Sequence, residues 1–157
     1  METRRVLVRV LLFALFGLLV EVFFTAISSL LRGNWNFRGG TSPWMMLDYG
    51  ILGLAVAPIS AALTKRRFPL AARAVVYMLG IFLVEYVSGE IFTLFGLSIW
   101  DYSDLPLNLR GQITLTYAPF WFFLGLWLEF LNRRIDACAV VLVRGLRVED
   151  LPERPAR

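Results

Sequence analysis

Five carboxylates fall inside or beside long apolar stretches of this chain: Glu21, Asp48, Glu85, Glu90 and Glu129. An ionised group at the centre of a bilayer costs roughly 3 kcal/mol, so such residues face protein or water rather than lipid. Glu21, Glu85 and Glu90 lie well inside their stretches. Asp48 and Glu129 lie near stretch ends, where water or headgroups can reach. At 1.5 Å per residue, Glu21 sits ~21 Å along its stretch and Glu85 ~22 Å along its own. The two therefore fall in one layer, and neighbouring carboxylates cannot both ionise cheaply. Glu90 lies ~7 Å further along, close enough to an interface to extend into water. Two chemistries are open to this set. It can line a polar cavity for a solute, ion or proton, or it can supply hydrogen bonds between packed helices.

Much other chemistry is excluded. The chain has no histidine and one cysteine, Cys138. Histidine acid–base catalysis, His/Cys metal sites and an internal disulfide are all ruled out. No metal and no cofactor is expected. An enzyme acting on lipid would have to work through carboxylates alone, so a non-enzymatic role is favoured.

Spacing places further polar residues beside the carboxylates. Gly17, Glu21, Thr25 and Ser28 share one helix face. Glu85 and Gly89 share another, with Ser88 beside them. Gly50, Gly53, Ala57, Ser60 and Thr64 form a small-residue stripe of the kind that lets helices approach closely. Tyr117, Trp121, Gly125 and Glu129 share a fourth face. Pro58 and Pro119 are expected within spans, freeing the carbonyls of Leu54 and Leu115.

The segment WDYSDLPLNLRG, residues 100–111, is dense in specific groups: Trp100, Asp101, Tyr102, Asp104, Asn108, Arg110 and Gly111. It is expected to fold as a cap over the span ends, because a free loop would leave Trp100 and Tyr102 wet. Asp101 and Arg110 are the charged groups expected to pair there, with Thr41 and Ser42 in reach. Trp35, Trp44, Trp100 and Tyr102 fall near span ends, as interfacial anchors do. Ser42-Pro43 has the form of a helix start, with Ser42 as N-cap.

These groups must be held by membrane helices. The 157 residues are 58% hydrophobic and 18% charged, against about 45–50% and about 25% for soluble domains. Apolar stretches cover residues 6–31, 44–64, 70–96 and 112–131, each near the ~20 residues that cross ~30 Å of hydrocarbon. The expectation is an all-α integral membrane protein. Its four-transmembrane-helix bundle fills residues 1–132, with a structured outer loop between helices three and four. Residues 133–157 form a basic cytoplasmic tail, partly interfacial over residues 137–143. The first stretch is too long for a signal-peptide core and contains Glu21, so it is expected to stay as a span.

Thirteen of the 16 Lys and Arg flank one side of these spans; only Arg32, Arg38 and Arg110 fall on the other. Positive charge favours the cytoplasm, so both termini are placed there, in the plasma (inner) membrane. The net charge of +4 resides in flanking clusters, so the lipid bilayer, not nucleic acid, is the expected partner.

The segments GLLVEVFFTA (17–26), GGTSPWMMLDYG (39–50), VEYVSGEIF (84–92) and WDYSDLPLNLRGQITLTYAPFWFFLGL (100–126) occur in this order. On them the chain resembles the transmembrane protein 229 family and the related bacterial type IV ABC-transporter family, over about residues 10–130. The resemblance implies a small multi-span membrane protein. It marks Glu21, Thr25, Trp44, Tyr49, Glu85, Trp100, Asp101, Tyr102, Asn108, Gly111 and Trp121 as motif positions. It implies little about activity.

The sequence contains no G-x-x-x-x-G-K-[ST] loop, so an ATP-driven role needs a separate ATPase. Four spans are few for one pathway, which points to a homo-oligomer or a partner subunit. The expected function is a component of small-solute or ion transport, with Glu21 and Glu85 lining a polar site and Thr25 and Glu90 as further candidates. The alternative is a non-catalytic scaffold or subunit of a larger complex.

Overall fold

A computed structural model describes residues 1–145. Four helices dominate: α1 Glu2–Leu31, α2 Met45–Lys65, α3 Leu70–Leu94 and α4 Ala118–Arg144. A two-stranded antiparallel hairpin, β1 Asn108–Leu109 with β2 Ile113–Thr114, and a 3-10 turn at Leu115–Tyr117 precede α4. The all-α expectation therefore needs this small correction.

Helices α1, α2 and α3 are each long and apolar enough to cross a membrane. Their outward faces are unbroken apolar stripes. On α1, Leu7, Leu11, Leu15, Leu19, Phe23 and Ile27 are exposed at intervals of four; on α3, Val75, Leu79, Leu83, Val87 and Ile91 repeat the pattern. Exposed apolar area on this scale would aggregate in water, and it suits lipid.

α4 differs from the expected fourth span. Its stretch begins at Ala118, not Gln112, because Gln112–Tyr117 are used by the hairpin and the 3-10 turn. Pro119 consequently sits in the first turn of α4, where its missing N–H costs nothing, and not within a span. The helix also runs through residue 132 without a break, so residues 133–144 continue it. The apolar part, residues 118–131, is ~21 Å long. Beyond it α4 is amphipathic, and Arg134 lies over the Phe130 ring at 4.9 Å. The part of the expected tail after residue 145 lies outside the described residues.

Helix α1 packs on α2 and α4, and α3 packs on α4. Glycines permit the closest approaches. A Cβ at Gly53 would lie 2.8 Å from the Val10 Cα, and one at Gly125 would lie 2.7 Å from the Ala74 carbonyl oxygen. At one end of the bundle the core is Phe13, Val56, Tyr77, Leu128, Leu131 and Ile135.

Charges tie the helices together beside this core. Arg9 donates to the Gly53 carbonyl at 2.7 Å and to Asp136 at 3.0 Å; Arg5 also pairs with Asp136. Arg73 meets Glu129 at 3.4 Å, and Tyr77 donates to the same carboxylate at 2.8 Å.

Candidate functional site: a carboxylate cavity between α1 and α4

The opposite end of the bundle is not filled. A cavity of about 510 Å3 extends from the connections after α1 and α3 down to Phe13 and Leu131. Glu21 and Glu85 both line it, as do Thr25, Tyr49, Trp100, Tyr102 and Trp121.

Glu21 is held from two elements. Thr41, in the connection after α1, donates to its carboxylate at 2.6 Å, and Tyr49 on α2 donates at 2.8 Å. Tyr49 reaches it because its ring lies where a side chain on Gly17 would be. Thr25, one turn beyond Glu21, bonds back to the Glu21 carbonyl and to Gly40, which pins the α1–α2 connection onto the helix.

Glu85 is the contrasting case. It is only 7% exposed, and its carboxylate accepts no hydrogen bond among the described residues. The indole N–H of Trp121 is beside it but outside hydrogen-bond geometry, and is itself buried without a partner. A buried polar group normally has a partner, so both face the cavity with bonding capacity unused.

Segment 100–111 is ordered and covers this end. Trp100 donates to the Gln112 carbonyl at 2.9 Å and packs edge-on against Phe92. Asn108 donates to the carbonyls of Leu105 and Ser103 and accepts from the Gly111 amide. Gly111 adopts φ +70°, and a Cβ there would lie 2.6 Å from the Asp101 carboxylate. Tyr102 packs against Tyr117, with ring centres 5.3 Å apart. Burial raises the Tyr102 phenol well above its ordinary pKa, so it remains a neutral donor.

Several expectations are corrected. Asp101 and Arg110 do not pair: Asp101 accepts from the Ser103 hydroxyl and amide, and Arg110 reaches Glu90 at 3.2 Å. Thr41 serves Glu21 instead of the 100–111 segment. Glu90 lies outside the cavity lining, as does Trp44, which is half-exposed and packs on Phe92. Ser42 does not cap α2 at the expected place. The helix starts at Met45, after a turn in which Ser42 accepts from the Trp44 amide.

Asp48 is not solvated at a span end. It is 6% exposed and accepts from Ser88 at 2.9 Å. Sequence reasoning missed this bond and the role of Thr41. Ser88 was visible beside Glu85, but nothing local placed it opposite Asp48.

Three membrane-length apolar helices with lipid-facing stripes define a multi-pass membrane protein. The family model described as "Putative ABC-transporter type IV" matches residues 9–146. The chain belongs to that family. No solved structure matches it.

Proposed function

We propose that this chain is a membrane component of a transport system that binds a small solute in the α1–α4 cavity, with Glu21 and Glu85 in the binding wall. The observation that carries the reading is the cavity itself, with the Glu85 carboxylate in its wall and the Trp121 N–H buried beside it without a full hydrogen bond. A bundle built only for packing satisfies such groups, as Asp48–Ser88 does. The family description agrees with a transporter-related role. Energy from ATP would come from a partner subunit, and a second copy or that partner would complete the pathway. Kinship with the transmembrane protein 229 family belongs to the same proposal and rests on the quoted motifs.

α4 is the proposed fourth crossing. Its short apolar part is extended by the hairpin segment. Arg5, Lys65, Arg66, Arg67 and Arg133 cluster at one end of the bundle. The positive-inside preference assigns that end, with both termini, to the cytoplasm of the plasma membrane. The cavity then opens outward.

A scaffold role is the second reading. It is favoured by the bonds Glu21 already makes to Thr41 and Tyr49.

Cysteine labelling separates the two. In a Cys138→Ser background, Ser28→Cys places a lone thiol on the cavity wall. The solute-binding reading expects rapid modification by a membrane-impermeant charged thiol reagent applied from outside. A Ser28→Cys thiol as inert as one placed in the dry core, at Val56, would leave the scaffold reading standing.

A further inference from the structure

We infer that the cavity takes an amphipathic organic cation, its ammonium group at Glu21 and Glu85 and its apolar tail between α1 and α4. The inference rests on the solute-binding reading above and specifies the chemistry of the ligand.

Polarity along the cavity is graded. Its deep half is walled by Phe13, Phe16, Leu52, Leu124, Leu128 and Leu131. An inorganic ion or a small polar solute would leave this half empty. An alkyl chain fills it and takes its methylenes out of water.

The upper half selects charge. Glu21 and Glu85 are the two carboxylates in the wall. Arg32 is the one basic side chain there among the described residues. It is exposed at the rim, roughly 16 Å from Glu21 along α1. Glu21 has Thr41 and Tyr49, both neutral donors. Glu85 is 7% exposed, and the donor beside it among the described residues is the indole N–H of Trp121, which is neutral. Two neighbouring carboxylates cannot both ionise cheaply alone, and a bound ammonium group is what lets both carry charge. A fatty acid or phosphate would instead meet two carboxylates at close range.

Aromatic rings complete the upper wall. Phe24 packs against Phe120 and Tyr117, with ring centres 4.7 and 5.6 Å apart, and Trp100, Tyr102 and Trp121 line the same space. Aromatic rings attract alkylammonium groups through their faces.

The test uses the full chain in phosphatidylcholine nanodiscs, with tritiated decyltrimethylammonium at submicellar concentration and empty discs subtracted. A saturable site is expected. Unlabelled decyltrimethylammonium should displace the probe, and decyl sulfate at equal concentration should not. This comparison needs no variant. Glu85→Gln should weaken binding at least tenfold.

Equal competition by decyl sulfate, equal binding by a folded Glu85→Gln, or no saturable site would overturn the inference. If the Ser28→Cys thiol is nonetheless labelled, the cavity reading survives and only the ligand class fails. Discs containing phosphatidylethanolamine distinguish two sources of the same chemistry. Displacement of the probe by that lipid identifies an amine-bearing lipid as the occupant, and unaltered binding identifies a free cation; either result requires the cationic site.

Discussion

Tyr49 donates its phenolic hydrogen to Glu21 at 2.8 Å across the α1–α2 interface, and it does so because Gly17, one turn before Glu21, leaves room for the tyrosine ring. One bare Cα thus positions a carboxylate in a cavity wall. Gly17→Ala should push the ring outward and break the bond. Overpacking of this kind costs about 1–3 kcal/mol, read as a lower melting temperature in detergent. Tyr49→Phe keeps the ring and should cost about 1 kcal/mol. Equal melting temperatures for Gly17→Ala and the native chain would show that the ring can move freely.

Arg9 should be among the costliest polar side chains to remove. Its guanidinium is mostly buried and spans three helices, from α1 to the Gly53 carbonyl and to Asp136. Arg9→Ala leaves Asp136 with Arg5 alone and removes the tie from α1 to the Gly53 carbonyl, at about 3 kcal/mol. Arg110→Ala is the control. Arg110 is 67% exposed and its pair with Glu90 is a surface pair, worth less than about 1 kcal/mol. Chemical unfolding of the two variants side by side checks the order.

Ser88→Ala should destabilise the chain by about 1–3 kcal/mol, because it leaves Asp48 buried without its donor. The double variant Ser88→Ala with Asp48→Leu should recover much of the loss. Failure to recover would mean that Asp48 has a further role at this interface.

Order in the 100–111 segment should depend on pH through Asp101. The Ser103 hydroxyl and amide hold this carboxyl below its usual range. A depressed folded-state pKa stabilises at pH values above the ordinary carboxylate value of ~4, and the contribution is lost as pH falls through the lowered value. Hydrogen-exchange protection at the Ser103 amide should therefore be constant from neutral pH to about 5 and fall in more acid solution. Asp101→Asn should flatten that profile.

Gly111→Ala should loosen the same segment at every pH. Its φ of +70° is strained for alanine, and the added methyl would meet Asp101 and Ser103. Raised exchange across residues 100–111, with α1–α3 unchanged, is the expected pattern.

Composition and charge determined the membrane class, three of the spans to within a few residues, and Glu21 and Glu85 as the carboxylates to watch. Those properties are local: a 25-residue apolar run and a charged residue inside it can be read without knowing any neighbour. The start of the fourth stretch was placed six residues early for the same reason. Residues 112–131 are mostly apolar, and the pairing of Asn108 with Thr114 and Leu109 with Ile113, with the 3-10 turn after it, removes Gln112–Tyr117 from the helix. Partnership was a matter for the tertiary structure. Asp48 met Ser88, Thr41 met Glu21, and Arg110 met Glu90 instead of Asp101. Each of these contacts joins different elements, so it follows from how helices cross at glycines such as Gly17 and Gly53. The cavity belongs to the same level. It exists because side chains from all four helices and from the connections after α1 and α3 leave space around Glu21 and Glu85, and no spacing within one helix encodes that gap.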